Sequence, residues 1–138
     1  FPYTTLFRSS LEDKDKKEDY IDNTDEKKDY PVVIILNNNS ASASEILAAA
    51  LKDSYGAIFV GEKSYGKGKV QQTYDLNDGS MAKYTSAKWL RPSGACIDGI
   101  GLIPDYEIKI TFEKDEEGNE IGVVDTQLSK AIEVIGTM

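Results

Sequence analysis

Residues 31–60 constrain this chain more than any other stretch. Val32-Val33-Ile34-Ile35-Leu36 is an unbroken run of β-branched and aliphatic residues. A strand with one face in water alternates, so a run without alternation is expected to be buried on both faces, as in a parallel sheet. Asn37-Asn38-Asn39-Ser40 ends the run with side chains that favour turns. From Ser42 to Tyr55 the residues Ile46, Leu47, Ala50 and Leu51 fall on one helical stripe, and Gly56 supplies the stop. Ala57-Ile58-Phe59-Val60 is a second apolar run. Strand, helix and strand in that order make a β-α-β unit, with a right-handed crossover. The expected fold class is therefore α/β.

The rest of the chain adds antiparallel strands and a closing helix. Gly61, Gly66 and Gly68 mark a loop over residues 61–68. Two strands, Lys69–Leu76 and Ser80–Trp89, flank Asn77-Asp78-Gly79, a strong hairpin signal. Arg91-Pro92-Ser93-Gly94 reads as a further turn. Residues 106–112 alternate strictly and predict one half-buried strand. An acidic turn at Asp115–Asn119 follows. Asp125–Ile135 then reads as a helix with Leu128, Ala131, Ile132 and Ile135 inward.

Charge separates this core from its flanks. The chain holds 24 acidic and 16 basic residues, net −8. Residues 31–112 carry eight of each, whereas residues 11–30 are net −4 and residues 113–138 net −5. Such a balance lacks the basic footprint of a nucleic-acid binder. Residues 11–30 are read as a charged loop or an exposed hairpin carrying Tyr20 and Ile21. The opening Phe1–Ser9 has no periodicity and reads like one frame of a common sequencing-adapter oligonucleotide. Residues 1–10 are thus expected to be a scar that packs against nothing, with the domain in residues 31–138 and a gene that extends upstream. No apolar run approaches the roughly 18–20 residues of a membrane span.

Histidine is absent and Cys96 is the single cysteine. Within this chain that excludes Ser-His-Asp and Cys-His sites, His- or Cys-ligated metals and an internal disulfide. No metal or other cofactor is expected. Three motifs remain. Gly61-x4-Gly66-Lys67 approaches a phosphate-binding loop, but Gly68 stands where a Ser or Thr should hold magnesium, and strand-like residues follow instead of a helix. Tyr84-x3-Lys88 has the spacing of short-chain dehydrogenases, but it alternates like a strand and no nucleotide fingerprint precedes it. The third motif, Ser40-Ala-Ser42-Ala-Ser44-Glu45, lies between a strand and a helix. Ser42 and Glu45 have capping-box spacing. The same junction suits a nucleophile, because helix-start N–H groups can stabilise an oxyanion. Spacing does not choose among the three serines.

A nucleophilic serine needs a base, and without histidine that base is a lysine made neutral by burial. Lys67 fits, since Gly66 and Gly68 let its backbone approach a cleft closely. Gln71, four residues on, is placed to hydrogen-bond the amine.

Taken together, Val33-Ile-Ile-Leu-Asn37, Ser40-Ala-Ser-Ala-Ser-Glu-Ile46 and Val60-Gly-Glu-Lys-Ser-Tyr-Gly-Lys67-Gly-x-Val-Gln71 resemble the C-terminal processing peptidases, or tail-specific proteases. The similarity continues through Leu76-x-Asp78-Gly79-Ser80, Arg91-Pro-Ser-Gly94, Gly99-Ile-Gly-Leu-Ile-Pro-Asp105 and Asp125-x-Gln127-Leu, over roughly residues 31–136. The resemblance implies a crotonase- and ClpP-like catalytic core and a Ser/Lys dyad. It assigns the nucleophile to Ser42, the general base to Lys67, a supporting role to Gln71 and one oxyanion donor to the backbone N–H of Ala43. A second donor and a tail-recognising PDZ domain would lie upstream. Asn37-Asn38-Asn39 departs from the family's usual glycine or glutamate before the serines. The implied activity is endopeptidase cleavage of proteins near their C-termini, outside the bacterial cytoplasm and in association with a membrane. The rival readings are a ligand-binding, non-catalytic member of the same superfamily and an oxidoreductase using Tyr84 and Lys88.

Overall fold

The computed structural model describes residues 8–22 and 29–138. Along the chain these form strands β1 (Arg8–Glu12), β2 (Lys17–Ile21) and β3 (Val33–Leu36), helix α1 (Ala43–Tyr55), strands β4 (Ile58–Gly61), β5 (Lys69–Asp75), β6 (Met81–Leu90), β7 (Tyr106–Glu107), β8 (Thr111–Lys114) and β9 (Glu120–Val124), and helix α2 (Thr126–Ile135). The α/β expectation holds. β3, β4 and β7 make a parallel sheet in the order β3-β4-β7. Pleating sends alternate side chains to opposite faces. Ile34, Leu36 and Phe59 pack against Ala48 and Ala49 of α1, joined by Ile97 and Leu102. Val33, Ile58 and Val60 pack against Ala131 and Val134 of α2. The sheet is thus the middle layer of three. Burial of each large side chain such as Phe59 or Leu102 contributes roughly 1.5–3 kcal/mol.

A second, antiparallel sheet runs β2-β1-β6-β5 and leaves β5 at its edge. Leu76 N–H donates to the Ser80 carbonyl at 2.8 Å across the Asn77-Asp78-Gly79 turn. The third sheet is the β8–β9 hairpin, which closes over Asp115–Asn119.

Several expectations are corrected. Residues 8 and 9 lie in β1; Ser9 and Ser10 are each 3% exposed, and Ser10–Glu12 pair with Lys88–Leu90 of β6. The end of the supposed scar is therefore packed structure; residues 1–7 lie outside the described residues. β3 is not buried on both faces, because Ile35 remains 41% exposed beyond the reach of α2. The strand read over residues 106–112 is two strands in different sheets. Ile108 N–H donates to the Gly61 carbonyl, while the Ile108 and Lys109 carbonyls accept from the Gln127 amide (2.8 Å) and the Thr126 hydroxyl (2.5 Å). Those side chains end the first pairing and turn the chain towards β9.

Both helices are rotated from the expected faces. α1 buries Glu45, Ala48, Ala49 and Ala50 and leaves Leu47 exposed. An alanine face lets the helix lie close to the sheet, and Glu45 goes inward because it has buried donors to meet. α2 buries Gln127, Ala131 and Val134, and leaves Leu128, Ile132 and Ile135 exposed. The Gln127 and Thr126 bonds set that rotation.

Two ion pairs fasten the layers and carry a pH signature. Asp105 accepts from Lys52 Nζ (2.5 Å) and from Phe59 N–H (2.7 Å). Asp53 accepts from Arg91 Nε (3.1 Å) and Nη2 (2.5 Å) and from Ser93 N–H (3.3 Å). In each, burial pushes the carboxyl pKa up, but the hydrogen bonds and the adjacent cation outweigh burial and hold it below the ordinary value. A depressed folded-state pKa gives stability that is present above the unfolded value and lost as pH falls through the folded one. Urea unfolding should therefore show Asp105→Asn and Asp53→Asn weaker than the parent at pH 7. They should converge on it below the lowered carboxyl pKa values. A gap that stays constant with pH would rule out this account.

Candidate active site

The β3–α1 junction sets the position of Ser42. Asn37 begins a tight turn, with Ser40 N–H donating to the Asn37 carbonyl at 2.9 Å. Ser42 then enters the helix at φ 57°, ψ −115°, and is the only described non-glycine residue with positive φ. Such a conformation costs on the order of 1–3 kcal/mol and persists only where its surroundings enforce it. Two bonds do so: Ser42 N–H donates to Glu45 Oε2 at 2.9 Å, and the Ser42 carbonyl accepts from Ile46 N–H at 3.0 Å. Ala43 opens α1, so its N–H lies among the first-turn donors that have no intrahelical acceptor.

The three serines differ in their surroundings. Ser40 Oγ accepts from Asn37 N–H at 3.1 Å, and Ser44 Oγ donates to the Ala41 carbonyl at 2.8 Å. Of the three, Ser42 lines a cleft of about 440 Å³. Lys67 and Gln71 line the same cleft, with Lys69, Lys83 and Trp89. Residues 25 and 29 positions after Ser42 thus meet it across one opening. A bulge between Val70 and Gln71 shifts the β5–β6 register beside this site, as bulges often do where a side chain must be re-aimed. Burial of Lys67 is expected of the assembled site; in this chain alone its side chain is exposed. The cleft is open to water on that side.

Glu45 is the site residue that sequence reasoning undervalued. It is fully buried, and its carboxylate accepts four hydrogen bonds. Oε1 takes the Ser64 hydroxyl (2.5 Å) and Gly66 N–H (2.7 Å); Oε2 takes Ser42 N–H and Lys67 N–H (both 2.9 Å). Its place in the first turn of α1 adds the favourable end of the helix dipole. One carboxylate therefore ties the backbone of Ser42 to that of Lys67. The capping-box spacing flagged Glu45, but only its end at Ser42 was legible; the donors from residues 64–67 are non-local.

The loop around Lys67 is gripped from its other side too. Asp98 Oδ1 accepts from Gly68 N–H at 3.3 Å, and Asp98 Oδ2 pairs with Lys69 at 3.1 Å. Gly66 sits at φ +87°, and a Cβ there would come within 2.8 Å of the Gly101 backbone nitrogen. Gly66→Ala combines left-handed strain with a backbone clash. It should cost about 2–4 kcal/mol in denaturant unfolding; a loss under 0.5 kcal/mol would mean that the loop relaxes freely.

The other two motifs do not build sites. The segment after Lys67 is strand β5, so the phosphate-loop spacing has no helix behind it. Tyr84 and Lys88 lie on β6, four residues apart along a strand, and Tyr84 Oη donates to Gln72 Oε1 at 2.9 Å. Among the described residues no cluster of His, Cys, Asp and Glu could hold a metal.

Comparison with known proteins places this arrangement in context. The family model described as "Peptidase family S41" matches residues 3–108, which include Ser42, Lys67 and Gln71. Carboxyl-terminal-processing peptidase 2, chloroplastic, of Arabidopsis thaliana is 46% identical over 87 residues, covering 63% of this chain and 17% of its own length. A probable CtpA-like serine protease of Staphylococcus epidermidis is 47% identical over 97 residues, covering 69% of this chain and 20% of its own. The chain thus spans about a fifth of the length of these relatives. Among solved structures, the photosystem II D1 C-terminal processing protease superposes with a TM-score of 0.69 at 34% identity, over 78% of this chain and 28% of that one. A lipoprotein from Streptococcus agalactiae shares the fold at 19% identity (TM-score 0.66), over 99% of this chain and 46% of its own.

Proposed function

This chain belongs to peptidase family S41, and from that premise we propose that it forms the C-terminal part of the catalytic domain of a longer serine endopeptidase that cleaves proteins near their C-termini. Ser42 is the nucleophile and Lys67 the general base. Lys67 takes the proton from Ser42 Oγ as that oxygen attacks the peptide carbonyl. The departing amine collects the proton, an acyl-enzyme forms, and water hydrolyses it with Lys67 again as base. Gln71 orients the amine. The Ala43 N–H, at the positive end of α1, stabilises the oxyanion. The remainder of the catalytic domain, together with bound substrate, excludes water from Lys67. The observation that carries this reading is the convergence of Ser42, Lys67 and Gln71 on one cleft, with both loops held by Glu45.

The names of the relatives support protein substrates processed at their C-termini. A bacterial, extracytoplasmic and membrane-associated setting is proposed from the family resemblance. No helix among the described residues is long and apolar enough to cross a membrane, so any such helix would lie elsewhere. The test is acid-quenched mass spectrometry of the whole enzyme turning over an activated ester. One acyl adduct on the peptide containing Ser42, absent in Ser42→Ala, is expected. Steady turnover with no adduct, or an adduct elsewhere, would sink the acyl-enzyme mechanism.

A further inference from the structure

We propose that the cleft beside Ser42 selects peptides bearing a carboxylate near the bond to be cut, with Lys83 as its specificity-determining residue. The proposal rests on the peptidase reading of the same cleft and adds a substrate class to it. The chain as a whole is net −8, yet the cleft is lined by three lysines, Lys67, Lys69 and Lys83, and by no acidic residue. These lysines have different commitments. Lys67 is the proposed base. Lys69 is partly neutralised by Asp98 at 3.1 Å. The nearby Glu45 carboxylate faces inward and is filled by its four donors. Lys83 is exposed and has no ion-pair partner among the described residues. It is the uncommitted positive charge of the cleft.

Position supplies the second part of the argument. Lys83 pairs with Thr73, two residues beyond Gln71 on β5. A strand advances about 3.3 Å per residue, which puts the Thr73–Lys83 pair about 7 Å past Gln71. Among the described residues β5 is the outer strand of its sheet, so an extended peptide can run beside it at the same rise. A carboxylate about two residues from the bond at Ser42 then reaches Lys83. The carboxylate can belong to an acidic side chain or to the chain terminus.

Trp89, the single tryptophan of the chain, lines this cleft and reports its occupancy. The experiment is fluorescence titration of the 138-residue chain with three capped pentapeptides. The first has a central Glu and an amidated end, the second a central Gln and an amidated end, and the third a central Gln and a free terminal carboxylate. Surface ion pairs are modest and salt-screened, so at least one carboxylate peptide should bind about 3–10-fold tighter than the neutral one at low salt, with the advantage shrinking in 0.5 M salt. Which peptide gains identifies the source of the carboxylate. Lys83→Gln, a change on an exposed strand position, should remove most of the advantage while leaving the circular dichroism unchanged. Equal binding of all three peptides, or an advantage that survives in folded Lys83→Gln, would overturn the proposal. The titration involves no cleavage, so its failure leaves the peptidase reading to be judged by the acyl adduct.

Discussion

Ser42→Ala is expected to lower cleavage by the whole enzyme about 10⁶-fold, the loss found when the nucleophilic serine is removed from a serine protease. Ser40→Ala and Ser44→Ala should retain substantial activity, since their hydroxyls serve the local turn and lie away from the cleft lining. The control for folding matters. Ser42 also precedes α1 in a strained conformation, so alanine there can shift stability by about 0.5–2 kcal/mol in its own right. Activities must be compared among variants with matched unfolding midpoints. Lys67→Arg completes the test. Guanidinium stays protonated and cannot act as a base, so the variant should be as inactive as Ser42→Ala although the charge is kept. Lys63→Ala, at an exposed loop position outside the cleft lining, should leave turnover within a small factor. A folded Ser42→Ala enzyme that cleaves at the parental rate, or an active Lys67→Arg, would remove the dyad.

Glu45→Ala should be the most destabilising single change in the site, at about 3–5 kcal/mol. It removes the acceptor of four donors, two of them in fully buried bonds, and it leaves a cavity at the first turn of α1. A domain of this size has roughly 5–15 kcal/mol in total, so the variant is expected to unfold at much lower urea. Glu45→Gln separates charge from shape. The amide keeps one accepting oxygen and turns an NH₂ towards two other donors, so the loss should be intermediate. If Glu45→Ala unfolds at the parental midpoint, the carboxylate does not join the two loops as described. Where Glu45→Gln remains folded, turnover in the whole enzyme should fall more than substrate affinity, because the bonds position Ser42 and Lys67 without touching the peptide.

What the sequence made legible was local. The β3–α1–β4 unit, the β5–β6 hairpin and the helix stop at Gly56 follow from runs, turn residues and glycine placement within a few positions of one another. Non-local choices were not legible. Which face α1 buries depends on Glu45 meeting donors 19–22 residues away. The break after Glu107 depends on Gln127 and Thr126, which catch carbonyls from the next helix. The burial of Ser9 and Ser10 depends on β6, some 80 residues on. At the site, chemistry and resemblance singled out Ser42, Lys67 and Gln71, and the three line one cleft. Burial of Lys67 was not legible either way, because burial is a property of everything that surrounds a cleft and this chain spans only part of its relatives' length.

The exposure of Lys67 in this chain, set beside the Glu45 clamp, divides the work of ordering the site unequally. The backbone of residues 66–68 is held from both sides by Glu45 and Asp98. The ammonium stands at the end of four methylenes that remain free to sample rotamers in water. Freezing such a side chain costs about 1.5–2 kcal/mol of conformational entropy. In this chain the pedestal is held and the arm upon it is not. Whatever covers Lys67 in the longer enzyme, the rest of the domain or the substrate, must therefore spend part of its binding free energy on stilling one lysine.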